Sequence, residues 1–169
     1  MKFIGNWQIS HVGEPQRFVL YAKAYLSSSQ ALCREMVENE GKRSWPNASV
    51  VLLLAAHSVE LFLKGAIISR DAGAKVDHHR IPKLVERYEA LFSEPEYEID
   101  VPFRTEYPDV SEEEVEALKK REPVPSIMFR YPVARPGLEW MGLHALDPAT
   151  FMDVLTSLEQ TYARIEPAI

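Results

Sequence analysis

One segment constrains this chain more than any other. From Val50 to Ile68 the sequence reads VVLLLAAHSVELFLKGAII. No proline interrupts it; Asn47 follows Pro46 at its start and Gly73 lies just past its end. Asn is a favoured N-cap and glycine a favoured stop, so the pattern predicts a helix over 47–70. A helix that is apolar on nearly every side has to be surrounded by other protein. The fold expected is all-α: an up-and-down bundle of four to five helices around this rod, with a long Pro-rich loop before the last helix.

The remaining helices follow from periodicity and breakers. Residues 1–14 read as an irregular lead-in closed by Gly13 and Pro15. A first helix is predicted from Pro15 to Asn39, with Phe18, Ala22, Tyr25, Leu32, Met36 and Val37 as its apolar face. Proline suits a first turn because its missing N–H has no helical partner there. A third helix is predicted from about His79 to Phe92, with Pro82 in its first turn and Leu84, Val85, Tyr88 and Leu91 facing the core. Residues 94–110 and 123–146 carry seven of the twelve prolines and read as long connections, the first with room for a short strand at 97–103. Between them, Ser111 and Glu114 make a capping box for a fourth helix whose acid-first, base-last order matches the helix dipole. Asp147 and Pro148 open the last helix, which is read as running to about Ile165.

Composition narrows the class. With 169 residues, 46% of them hydrophobic and 26% charged, the chain is long enough to bury a core as one domain without staples. The net charge of −6 argues against a broad basic face, so no duplex DNA partner is expected. The lone cysteine, Cys33, sits at helical spacing among apolar residues and reads as a packed thiol. No signal-peptide core opens the chain. The longest apolar run, Val50 to Ala56, is shorter than a membrane span. A cytoplasmic protein with no membrane partner is the expectation.

The central segment is not wholly apolar. Residues on a helix advance by roughly 100° each, so with His57 at zero, Glu60 falls about 60° and Lys64 about 20° to the same side. Asp71, if the helix reaches it, lies about 40° to that side. These charges form one narrow stripe and must be paired, because an isolated buried charge is very costly. Two readings stay open. In one, Glu60 and Lys64 make an ion pair at favourable (i, i+4) spacing and His57 hydrogen-bonds a carbonyl. In the other, the stripe opens onto a polar pocket formed by His57, Glu60, Lys64, His79 and Arg130, in which His57 supplies acid–base chemistry near neutral pH. His79 either caps the third helix or points back at the stripe. Asp77-His78-His79 lacks a third and fourth ligand for zinc, so neither a metal nor another cofactor is expected.

Two stretches carry a resemblance. Ala56-His57-Ser58-Val59-Glu60-Leu61-Phe62-Leu63-Lys64-Gly65, the turn at Gly73 and His79-Arg80-Ile81-Pro82-Lys83-Leu84 resemble the HEPN domain family (higher eukaryotes and prokaryotes nucleotide-binding). Phe129-Arg130-Tyr131-Pro132 is similar to an arginine–tyrosine–proline loop before the last helix of some members. The resemblance implies an all-α homodimer that binds nucleotide, RNA or protein, or a metal-independent ribonuclease of toxin–antitoxin or phage-defence systems. A structural subunit of a larger complex is a further reading. Catalytic members carry a closely spaced arginine–histidine pair. Here seven residues separate Arg70 from His78 and eight separate Arg135 from His144, so the chain departs from that pattern. The expectation is a non-catalytic domain; an atypical site of His57, Arg130 and His144 is the enzymatic alternative. Arg130 otherwise reads as a partner for Glu60 or Asp71. No phosphate-binding glycine loop, zinc helix or nucleophile elbow is present.

Overall fold

A computed structural model of the protein describes residues 9, 11–103, 111, 113–115, 124–132 and 146–169. Among these the architecture is an all-α helical bundle without a strand. The helices are α1 (Glu14–Glu38), α2 (Trp45–Arg70), α3 (Ile81–Leu91), a short α4 (Pro125–Met128) and α5 (Pro148–Ile165).

The termini show why these segments stop where they do. Pro15, Pro46, Pro82, Pro125 and Pro148 each fall in the first turn of their helix, where no hydrogen bond is lost. The N-cap of α2 is Ser44, not Asn47: the helix starts two residues earlier, and the Asn47 amide donates to the Lys42 carbonyl at 2.8 Å. At the other end Asp71 leaves the helix and its Oδ1 accepts from the Gly73 N–H at 3.2 Å, closing the turn. Asp147 caps α5 by accepting from the Thr150 N–H at 2.9 Å. The capping box forms as predicted, with the Ser111 N–H donating to Glu114 Oε2 at 3.3 Å and the Glu114 N–H to Ser111 Oγ at 3.4 Å; the rest of that helix lies outside the described residues. The segment 97–103 is not a strand: a 3-10 turn over Pro95–Tyr97 leads into irregular chain. The connection at 123–146 is interrupted by α4.

α1 and α2 run antiparallel in close contact. Ser58 Oγ donates to the Ala22 carbonyl at 2.7 Å and Ser29 Oγ to the Val51 carbonyl at 2.9 Å, which fixes the register. At the end of the seam, a Cβ on Gly65 would stand 2.9 Å from the Pro15 carbonyl oxygen and 3.0 Å from Phe18 Cβ. A side chain there would force the helices apart. α5 runs antiparallel to α1, tied by Cys33 Sγ to the Pro148 carbonyl, Gln30 to Glu159 and Lys23 to Glu166. Phe62 of α2 stacks on Tyr162 of α5 with centroids 3.9 Å apart, and α3 packs against α2 from another side.

Two expectations about the core need correction. The buried residues of α1 are Val19, Ala22, Leu26, Ser29, Cys33 and Met36, alternating three- and four-residue steps as in a coiled-coil seam. The face built on Phe18, Tyr25 and Leu32 is rotated from this line. Phe18 and Tyr25 are half-buried and Leu32 is 36% exposed. Nor is α2 enclosed along its whole length. Burial is nearly complete from Ala55 to Ile68, but Leu52, Leu53 and Leu54 are only half-buried and Val50 is 45% exposed. By length and composition α2 passes for a membrane span; 72% of its most apolar stretch is covered by the rest of the fold, the pattern of a core helix.

Candidate functional site

The polar stripe of α2 is real and converges on one carboxylate. Glu60, 3% exposed, receives Lys64 Nζ on Oε1 at 2.8 Å, one turn along the same helix. His79 Nδ1 reaches the same oxygen at 2.8 Å from the segment between α2 and α3. His57 Nδ1 stands 3.8 Å from Oε2, beyond hydrogen-bonding distance but close enough to act electrostatically. Thus three of the predicted pocket residues, His57, Lys64 and His79, surround the fourth.

Local sequence explains the arrangement. Positions 57, 60 and 64 share one edge of the helix, and the turn at Ala72-Gly73 sends the chain back along that edge so that residue 79 arrives beside residue 60. Asp71 anchors the returning segment, since Arg87 of α3 donates to Asp71 Oδ2 at 2.8 Å and to the Lys75 carbonyl at 3.0 Å. His79 does not open α3, which starts at Ile81 with Arg80 as N-cap. Freed from that duty, its ring is 59% exposed on one side and bound to Glu60 on the other.

Burial by itself would raise the Glu60 carboxyl; contacts with His57, Lys64 and His79 outweigh it and hold the group at about 2. Glu60 is therefore ionised at neutral pH and is no proton donor. His78 sits beside the cluster, half-buried. Burial first, then the neighbouring Lys64 charge, pushes its pKa down, and its Nδ1 is enclosed with no hydrogen-bond partner among the described residues. His57 packs edge-on against Tyr25, ring centroids 4.6 Å apart, with about a third of its side chain open.

The other candidates do not join this group. Arg130 is exposed just after α4, and neither Glu60 nor Asp71 pairs with it: Lys64 and the histidines surround Glu60, and Arg87 takes Asp71. The predicted bridge is corrected accordingly. His144 lies outside the described residues. Cys33 is fully buried; burial and then the nearby Asp147 push its thiol up, the opposite of an activated nucleophile. Among the described residues no group of three or more metal-ligating side chains is arranged to hold an ion.

Sequence reasoning missed three participants. Arg87 was readable only as a surface cation of α3, and Tyr25 as a core residue. Arg17, whose Nε is enclosed without a partner among the described residues, reads in the sequence as one more helix surface charge. Its signal was the spacing of Arg17, Phe18 and Tyr21, which share one face of the first turns of α1.

The chain matches no family model, no curated protein and no solved structure. The class of protein is an all-α bundle with a buried, ionised carboxylate held by a lysine and a histidine, a second histidine standing beside it, and an outer edge partly open to solvent.

Proposed function

We propose that the chain is a non-catalytic, HEPN-like helical binding domain that works in the cytoplasm through protein contacts, first with a second copy of itself. The observation that carries this reading is the saturation of Glu60. Its buried carboxylate is committed to Lys64 and His79, with His57 alongside. A carboxylate so committed braces the chain between α2 and α3 rather than moving protons. Accessible apolar side chains lie elsewhere, toward one end of the α1–α2 pair. Leu32 and Val50 lie at the same end of the antiparallel α1–α2 pair, 36% and 45% exposed, with half-buried Leu53 and Leu54 beyond them. Apolar side chains grouped in this way favour association. The family resemblance points the same way, toward a homodimer.

Sedimentation of the purified protein across a concentration series tests the proposal. A dimer that the Leu32→Glu, Val50→Glu double variant converts to monomer is the expected result. A wild-type chain that stays monomeric at every concentration defeats it. Nucleotide or RNA binding is the alternative within the same class, read by thermal shift against a nucleotide panel. The ribonuclease reading requires metal-free cleavage of tRNA by the wild type that both His57→Ala and Arg130→Ala abolish.

A further inference from the structure

A cavity of about 330 Å³ lies at the other end of the α1–α2 pair, away from Leu32 and Val50. It is lined by Ile9, Glu14, Arg17, Phe18 and Tyr21 and, across the seam, Leu61 of α2. Its size falls at the small end of ligand pockets, roughly 300–1,000 Å³. We propose that it binds a small aromatic carboxylate carrying a single negative charge.

Three observations carry the assignment. The first is an unmet donor. Arg17 Nε is enclosed and has no hydrogen-bond partner among the described residues. One unmet guanidinium donor is costly, and the planar fork of Arg17, which lines the cavity, matches a carboxylate. Among the ion pairs of the described residues none joins it to Glu14, one turn earlier on the same helix. The second is the apolar lining. Phe18 and Tyr21 offer rings, Leu61 and Ile9 offer aliphatic surface, and Tyr21 is 54% exposed, its ring free to cover a planar guest. The third is rigidity. The close approach of Pro15 and Phe18 to Gly65 fixes the start of α1 against α2, so these two walls are set relative to one another before a ligand arrives.

Charge selects the ligand class. Glu14 at the cavity and the net charge of −6 repel polyanions, so a nucleoside triphosphate or an RNA backbone is disfavoured where one carboxylate is accepted. This site is independent of the self-association proposed above, which uses the opposite end of the helix pair.

Isothermal titration with 2-naphthoate tests it, beside the neutral naphthalene-2-methanol and adenosine monophosphate. The wild type should bind naphthoate at least about tenfold more tightly than the alcohol, as expected of a hydrogen bond to a charged group. Arg17→Met should lose about that factor, Arg17→Lys should fall between, and Leu61→Trp should block the cavity. Thermal melting establishes that each variant is folded; if Arg17→Met is not, the Arg17→Lys and Leu61→Trp titrations decide. Equal affinity for naphthoate and the alcohol overturns the proposal. So does naphthoate binding that survives Arg17→Met or Leu61→Trp, tighter binding of the nucleotide, or no binding of naphthoate at millimolar concentration.

Discussion

The two flanks of α2 bury polar groups in opposite ways. Toward α1 and α5, Ser58 donates to the Ala22 carbonyl and shares a hydrogen bond with the Tyr162 hydroxyl at 3.2 Å. Every partner is neutral, and burial raises the Tyr162 hydroxyl well above its ordinary range despite the Ser58 contact. Toward α3, Glu60 and Lys64 are charged and the histidines add conditional charge. The neutral flank fixes helix register at any ordinary pH. The ionic flank fixes a connecting segment, and its strength depends on protonation. Net hydrogen bonds contribute about 1 kcal/mol each, whereas stranding one member of a buried ion pair costs several times that.

This contrast ranks the outcomes of perturbation. Glu60→Ala strands the Lys64 ammonium inside the fold and should destabilise by about 3–5 kcal/mol in urea unfolding. The double variant Glu60→Leu, Lys64→Met removes both charges together and should recover most of that loss; no recovery would mean that the partners of Glu60, not the buried charge, carry the effect. Acid comes next. The folded Glu60 carboxyl lies at about 2 against an ordinary 4.5, so the unfolded chain takes up its proton first as pH falls. Its contribution is complete above about pH 4.5 and lost toward pH 2, at most about 3 kcal/mol at 1.36 kcal/mol per pH unit. Glu60→Gln should remove that slope from the stability–pH curve while leaving the Ser58–Tyr162 flank untouched.

Smaller effects sharpen the comparison from the neutral side. Ser58→Ala should cost about 1 kcal/mol, with no dependence on pH between 4 and 8 beyond that of the wild type. His79→Ala removes a hydrogen-bonding contact to Glu60 whose histidine is 59% exposed, so water competes for it and the loss should stay below about 1 kcal/mol. Its larger signature should be local: faster amide exchange over residues 74–80, with α1 and α5 unchanged. Uniform acceleration across the bundle would place the bracing role elsewhere.

Much of this was legible in the chain itself. The helical segments follow from apolar periodicity broken by proline and glycine, and the starts of α1, α2, α3 and α5 fall within two residues of the predicted ones. The boundary errors at Asn47 and His79 have one cause. Several residues in each region were chemically acceptable caps, and the choice between Ser44 and Asn47, or Arg80 and His79, depended on where the preceding turn delivered the chain. The rotated face of α1 has a different cause. Ser29 and Cys33 occupy seam positions, while Phe18, Tyr21, Tyr25 and Leu32 supply apolar side chains on the flank, so hydrophobicity alone weighted the wrong line.

The sequence by itself determined that this chain is helical, that α2 lies at its centre and that Glu60 must find cationic partners on its own edge, because helical spacing and the cost of a buried charge act over a few neighbouring residues. Only the tertiary structure decided which distant side chains complete the site. His79 reaches Glu60, Arg87 rather than Arg130 takes Asp71, and Arg17 lines a cavity with its Nε enclosed. Those outcomes depend on how the turn after α2 folds back and how α1 rotates in its seam, and both are set by packing between elements far apart in the chain.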